Sequence, residues 1–379
     1  MIKNSSDIPN KIRLAVLFGG RSGEHEVSLS SARSVLDVLD PARYEVFQVG
    51  ITQEGMWVTG ENVRERLEKG ETGRLTPCTI LPDPSKAGLF TLHTAGSGQI
   101  LEKLTDLDVV FPVLHGTYGE DGTLQGLLEM ADLAYVGAGV TGSSTGMDKG
   151  VFKAVMRAVG ILTVESIIVL RSEIEKDLEG VIRRSEGVAP YPLFVKPANL
   201  GSSVGITKCC SRADLGEGLK EAAAYDRRVL VERGVDAREI EVSVLGNDAP
   251  EASVPGEILP SREFYSYESK YVDGTSGLLI PAPLPAATAD QIRRMAIQAY
   301  TAIDCAGMAR VDFFLEKATG RIYLNELNTI PGFTSISMYP KLWEATGLPY
   351  PRLVDRLIQL ALERKTERDR TERRFRRMS

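Results

Sequence analysis

The run Ala309–Phe333, ARVDFFLEKATGRIYLNELNTIPGF, decides the reading of this chain. Val311 and Phe313 alternate with Arg310 and Asp312, the period of two expected of a strand with one buried face. Lys317-Ala318-Thr319-Gly320 supplies a hairpin turn, and the apolar run Ile322–Leu324 opens a second strand that continues to Asn328. Counted around the turn, Asp312 falls nearly opposite Glu326, and Glu326 and Asn328, two residues apart, share a face. Two carboxylates and an amide therefore converge with neither His nor Cys nearby, a donor set for a hard cation such as Mg2+ or Mn2+. The alternative is a group of cross-strand polar pairs in which Arg310 satisfies the carboxylates. Burying two carboxylates beside one Arg is costly without a further cation, which favours the metal. Magnesium held by few protein oxygens keeps its other positions for water and phosphate, so the pattern points to a bound nucleotide.

A second stretch, Pro192–Lys208 (PLFVKPANLGSSVGITK), supplies a place for phosphates. Lys196 ends an apolar strand and Gly201-Ser202-Ser203-Val204-Gly205 forms a loop of small residues, which lets backbone N–H groups come close to phosphate oxygens. The GxxxxGK[ST] spacing of a P-loop is absent, and read alone the stretch is equally a hairpin turn.

Length and composition bound the rest. At 379 residues the chain implies two or three domains. With 43% hydrophobic and 25% charged residues it is expected to be soluble, and no apolar run reaches the roughly 18 to 20 residues of a membrane span. MIKNSSDIPNKIR lacks the apolar core of a secretory signal, so a cytoplasmic location is expected. Cys78, Cys209, Cys210 and Cys305 lack CxxC spacing, which indicates reduced thiols rather than disulfides or zinc. The net charge of −6 is uneven: Glu363–Ser379 carries eight Lys/Arg against four Asp/Glu, leaving −10 for the remainder. That tail reads as a solvated helix end, and with no basic face elsewhere nucleic acid is excluded as a partner.

Along the chain, Lys11–Phe18 is a buried strand that breaks at Gly19-Gly20 and is followed by helical spacing over Val27–Leu39. Strands at Tyr44–Ile51 and Val109–Val113 continue an α/β layer with a parallel sheet, ending near Met147. Residues 61–106 read as a Gly- and Pro-punctuated elaboration. From Asp148 a helix (Lys149–Val159) and short strands at Leu193–Lys196, Ile206–Lys208, Val229–Glu232 and Glu239–Leu245 suggest a small antiparallel α+β domain. A third region has a helix at Asp290–Ile303, the hairpin above and two closing helices. The expected domains are 1–147, 148–254 and 255–379, with Glu263–Gly277, rich in Tyr and closing in glycines, as a candidate lid. His115 ends a parallel strand before a Gly-rich loop, where side chains meet ligands in α/β sheets; His25 reads as a surface or supporting residue.

Taken in order, FGGRSGEHEVSLSSA (18–32), HGTYGEDGTLQG (115–126), MDK (147–149), VKPANLGSSVG (195–205), YESKY (267–271), ARVDFF (309–314) and NELNTIPGFTSISMYP (325–340) resemble the D-alanine–D-alanine ligases of the ATP-grasp superfamily. The resemblance runs from about Lys11 to Gln359. It implies a three-domain ATP-grasp fold with an N-terminal parallel α/β domain, and ATP-dependent joining of two D-alanines for peptidoglycan precursors, with room for a homodimer. By residue matching it implies that Lys149 and Lys196 touch ATP phosphates with Gly201 and Ser203. Glu232 and Glu239 would hold adenine and ribose, beside Arg233 and Val235, and Arg233 stands where many relatives have Lys. Asp312, Glu326 and Asn328 would bind two divalent cations. Arg310 and the Gly332 N–H would form an oxyanion hole, and Lys270 and Ser337 would take the second substrate's carboxylate. Glu24 would hold the first ammonium, linked through Ser202 to Tyr271, with His115 close by.

Three other readings have discriminating features. A dinucleotide-dependent oxidoreductase fails on spacing, because GGRSG is not GxGxxG. A nucleotide sensor without catalysis would tolerate loss of Arg310 or Tyr271, and both are present. A ligase that uses D-lactate or D-serine as acceptor differs only in its second substrate.

Overall fold

The computed structural model describes residues 11–201, 204–259 and 277–372. The strand Ile12–Gly19 lies in an eight-stranded sheet, paired in parallel with Tyr44–Ile51 on one side and Val109–Val113 on the other. Its apolar run is continuous because both faces are covered. Leu14, Val16 and Phe18 enter one core cluster and Ala15 and Leu17 another. The following helix is His25–Leu36, two residues earlier at its start and three at its end than helical spacing predicts. Gly19 turns the chain at φ +89°, and a Cβ there would sit 2.2 Å from the Ile51 carbonyl oxygen, so no larger residue fits. The stretch 61–106 is largely ordered: its strands extend the sheet antiparallel, out to an edge at Gly98–Thr105.

A four-stranded antiparallel sheet follows, built from Ser166–Leu170, Leu193–Pro197, Thr207–Cys209 and Arg228–Arg233. Leu193, Val195, Val229 and Val231 pack into one cluster beneath the helix Arg212–Tyr225, so Lys196 and Glu232 fall on the opposite face. The strand Ala237–Gly246, whose Glu239–Leu245 is grouped by sequence with these short strands, pairs instead in the third sheet. There it pairs with Gly307–Glu316 along its whole length and with Gly256–Leu259. Proximity in sequence suggested the nearer sheet. The long partner strand decides otherwise, because Ile240, Val242 and Val244 complete the core made by Ala309, Val311, Phe313 and the helix Ala286–Ala302.

The first and third sheets are tied by the closing helix Tyr350–Asp369. Its Leu353, Leu357 and Ile358 share a cluster with Val16, Val109 and Phe111, each worth about 1.5–3 kcal/mol on burial. Arg364 of the same helix donates to the carbonyls of Tyr135 and Gly137 and lies 4.3 Å from the centre of the Tyr135 ring. The part of the basic tail up to Glu372 is thus partly committed to contacts with the first layer.

Candidate active site

In the decisive hairpin, Leu315 pairs with Ile322, Phe314 with Tyr323 and Phe313 with Leu324. The next pair is Asp312 with Glu326, and Asn325 is left over as a bulge. In an unbroken strand Leu324 and Glu326 would share a face. The extra residue sends Leu324 into the core and Glu326 into the cleft, and the pairing then resumes with Arg310 opposite Asn328. Arg310 donates to both oxygens of Asp312 at 2.8 and 2.7 Å and lies 3.1 Å from Glu241 Oε2. Asn328 Nδ2 donates to Asp312 Oδ2 at 3.1 Å. Although burial opposes it, the carboxylates of Asp312, Glu241 and Glu326 raise the Arg310 guanidinium well above its ordinary value, so it is always charged.

Lys149 opens the helix Lys149–Ala158, capped by Asp148, whose carboxylate accepts from the N–H groups of Gly150 and Val151 at 3.0 and 2.9 Å. Its Nζ donates to the Leu200 carbonyl at 2.7 Å and stands 3.9 Å from Glu326 Oε2. One helical turn on, Lys153 shares the buried carboxylate of Glu232 with Lys196: Lys153 Nζ lies 3.0 Å from Oε2, and Lys196 Nζ contacts Oε1. Burial alone would raise the Glu232 carboxyl, yet the two ammonium groups hold it down at about 2. Burial pushes Lys153 below its usual range, against the pull of Glu232. Both Lys153 and Glu232 are only 2% exposed.

On the first sheet, Glu24 precedes the helix His25–Leu36 and is 8% exposed, with its Oε2 against Gly116 and Gly201. A Cβ on Gly116 would lie 2.6 Å, and one on Gly201 2.9 Å, from that oxygen. His25 bonds through Nδ1 to the Gly20 carbonyl at 2.9 Å, a supporting contact. His115 is buried with both ring nitrogens engaged. Nδ1 meets the Ile330 carbonyl at 2.9 Å and Nε2 meets Ser31 Oγ at 3.0 Å. Because a carbonyl can only accept, Nδ1 carries the proton and Nε2 accepts from Ser31. Burial lowers the His115 pKa in spite of nearby Glu24, which keeps the ring neutral.

One cleft gathers groups from distant parts of the chain: Glu24 and His115, Lys149 and Gly201, and Arg310, Glu326, Asn328 and Gly332. Asp312 stands behind this lining, bonded to Arg310 and opposite Glu326. Lys196 and Glu232 are buried to the side. Glu239 is half-buried on the strand Ala237–Gly246, opposite Phe314, and Val235 is partly buried in the turn before it. Arg233 donates to Glu165 Oε2 at 2.7 Å, Glu316 Oε1 at 3.1 Å and the Tyr323 hydroxyl at 3.0 Å, so its side chain is committed, and its backbone N–H donates to the Glu165 carbonyl at 3.0 Å. Ser337 Oγ contacts Thr334 Oγ1 at 2.7 Å, close to Gly332. Ser202, Ser203, Lys270 and Tyr271, and the candidate lid up to residue 276, lie outside the described residues.

Among the described residues no group of three or more His, Cys, Asp or Glu is arranged to hold a metal ion. The donors present are two carboxylates and an amide oxygen, which suit a hard cation that takes its other ligands from phosphate.

Sequence reasoning missed two residues here. Lys153 follows Lys149 at the four-residue helical spacing, a signal that could have found it. Glu120, within the GED of the 115–126 motif, accepts from Gly116 N–H at 2.8 Å and from Ile330 N–H at 3.1 Å. Burial and the Glu24 carboxylate raise it to about 8, so that it is mostly neutral at pH 7.

The model of the D-ala D-ala ligase N-terminus matches residues 13–138, and that of the D-ala D-ala ligase C-terminus matches 155–359. A D-alanine–D-alanine ligase of Heliobacterium modesticaldum is 51% identical over 360 residues, covering 95% of this chain and 97% of that relative. One from Thermoanaerobacter sp. is 52% identical, covering 94% and 98%. Among solved structures, the D-alanine–D-alanine ligase of Coxiella burnetii superposes with a TM-score of 0.81 at 38% identity, covering 95% of this chain and 96% of that one. A D-Ala:D-Ser ligase of Enterococcus faecalis gives 0.81 at 34%, covering 93% and 100%. These likenesses carry the ATP-grasp fold with them, and with both halves matched in order the chain belongs to the D-alanine–D-alanine ligase family, which uses ATP.

Proposed function

We propose that the chain joins two D-alanines into D-alanyl-D-alanine, consuming ATP, as a step in making peptidoglycan precursors. The observation that carries this reading is the single cleft shared by Glu24, Lys149, Arg310 and Gly332, which come from three separate sheets and their connections. A carboxylate is a poor electrophile with a poor leaving group. Transfer of the γ-phosphoryl group of ATP to one oxygen of the first D-alanine gives an acyl phosphate and ADP. The amine of the second D-alanine attacks that carbonyl carbon, the C–N bond forms, inorganic phosphate leaves and the amine loses a proton. Arg310 and the Gly332 N–H stabilise the tetrahedral oxyanion between the two states. Glu24 takes the ammonium of the first substrate, and Lys149 and Lys196 neutralise phosphate charge.

Asp312, Glu326 and Asn328 would hold two divalent cations, Mg2+ or Mn2+, whose chemistry is to neutralise the phosphates as charge moves between them. Glu232 and Glu239 serve the adenine and ribose, with Arg233 and Val235 contributing backbone. Lys270, Ser337, Tyr271, Ser202 and Ser203 keep the roles that residue matching gives them. The substrates are small molecules, and no described helix is long and apolar enough to cross a membrane. A cytoplasmic location is part of the proposal, since the cytoplasm supplies the ATP.

The test is ADP release measured with D-alanine, L-alanine, D-serine and D-lactate. Release that requires D-alanine, with dipeptide as product, is expected. Nucleotide binding with no D-alanine-dependent turnover would point instead to a sensor.

A further inference from the structure

The turn that presents Gly332 to the cleft is gripped on both sides by residues of the first layer. Ile330, before it, donates its N–H to Glu120 and gives its carbonyl to His115 Nδ1. Phe333, after it, donates its N–H to Ser31 Oγ at 3.3 Å, and Ser31 in turn bonds His115 Nε2. Ile330 is 210 positions from Glu120 in sequence, so these contacts join the third sheet to the first at the floor of the cleft.

We propose that Glu120 is a positioning residue for the ligation: its carboxyl group, accepting Ile330 N–H with Oε1 and Gly116 N–H with Oε2, fixes the Pro331-Gly332 turn relative to the loop on which Glu24 rests. The second bond matters because Gly116 is the backbone against which Glu24 Oε2 packs. With the His115 and Ser31 contacts, this side chain thereby fixes the distance between the group that holds the first substrate and the backbone donor that receives the oxyanion. No other described acceptor takes the Ile330 N–H, and Glu120 is 8% exposed, so water does not replace it freely. An oxyanion donor works only if it already points at the position where charge will develop.

This inference rests on the ligase reading and on Gly332 as an oxyanion donor. Glu120→Ala removes both acceptors. Glu120→Gln keeps the length and one acceptor oxygen, while its NH2 faces the other N–H, and so serves as the partial control. Steady-state rates with D-alanine and ATP are measured for both variants beside the wild type, together with melting temperatures. The expected result is a kcat about 100-fold lower in Glu120→Ala, the size of effect seen on losing one oxyanion donor. The KM for ATP should move by less than about threefold, as for an interaction made mainly in the transition state. Glu120→Gln should recover roughly tenfold of the lost kcat at an unchanged KM for ATP.

A kcat in Glu120→Ala within about threefold of wild type overturns the proposal. So does a joint collapse of melting temperature, ATP KM and kcat that Glu120→Gln does not relieve, because that pattern marks a residue needed only for folding. A wild-type protein that releases no ADP with D-alanine refutes the ligase reading itself, and is told apart from these outcomes by needing no variant.

Discussion

Asp312 and Glu326 stand opposite each other because Asn325 is bulged out between that pair and the Phe313–Leu324 pair. The bulge turns a hairpin with one core face into a platform that brings Glu326 to the cleft with Asp312 behind it. If those carboxylates serve divalent cations shared with ATP, Glu326→Gln removes a charge at constant volume and leaves the strand pairing intact. Turnover at saturating magnesium should fall by roughly 100-fold or more, with melting temperature unchanged. A rate within a few-fold of wild type would remove Glu326 from the metal-binding set.

The contact between Gly201 and Glu24 gives a second prediction. A methyl group at Gly201 would lie 2.9 Å from Glu24 Oε2, the far end of a side chain that can swing away. Gly201→Ala is therefore expected to fold normally and to displace the Glu24 carboxylate, proposed above to hold the first ammonium. A displacement near 1 Å at such a group can cost about 100-fold in rate, so a rise of at least tenfold in KM for the first D-alanine is expected. Initial rates across a wide range of D-alanine concentration separate the two amino-acid sites. An effect on ATP alone would assign Gly201 to the phosphates and not to Glu24.

Much of this site was legible in the sequence, and the misses share a cause. The acidic hairpin was legible because a strand's period of two and a short turn are local facts. The bulge at Asn325 was not, because only the pairing of Leu324 with Phe313 and its place in the third sheet's core show which residue is left over. The sheet that Glu239–Leu245 joins is not legible for a similar reason: its long partner strand begins about sixty residues later. Nothing local marks Glu120, since its bond is to an N–H 210 positions away. The sequence offers Lys149 and Lys196 as candidates for phosphate, whereas the sharing of Glu232 between Lys153 and Lys196 becomes visible only once the helix docks on the sheet.

That shared carboxylate predicts a pH dependence. Glu232 is lowered from 4.5 to about 2 in the folded chain, so its contribution to stability is present above about pH 4.5 and is lost as pH falls toward 2. Glu232→Gln should flatten that part of the acid unfolding curve. At neutral pH it leaves two buried ammonium groups without their partner, a loss on the order of 3–5 kcal/mol for a broken buried pair. Urea unfolding between pH 2 and pH 7, a range spanning both values, measures both effects. Wild-type and variant curves that run parallel through that range would show that Glu232 is not held ionised by Lys153 and Lys196.

The acceptor is the last point at issue, because a D-Ala:D-Ser ligase shares this fold at 34% identity beside a D-alanine–D-alanine ligase structure at 38% and two such relatives at 51% and 52%. The stretch Tyr267–Tyr271, in the candidate lid, reads YESKY; the family resemblance implies that Tyr at its final position goes with dipeptide synthesis and Phe with D-lactate use. A Tyr hydroxyl bonded to Ser202, and through it to Glu24, would pin the lid to both other domains and so fix the shape of the second pocket. Such a bond contributes on the order of 1 kcal/mol, and more if its partner is left buried and unpaired. Wild-type protein given D-alanine with D-lactate and D-serine in competition at neutral pH should therefore make chiefly D-alanyl-D-alanine. Tyr271→Phe should raise the share of the other products by several-fold, as expected for about 1 kcal/mol, while ATP binding is kept. Chromatographic separation of the three products decides the matter. A wild type that makes mainly D-alanyl-D-lactate or D-alanyl-D-serine, or a variant with an unchanged product ratio, would show that Tyr271 does not set acceptor choice in the way proposed.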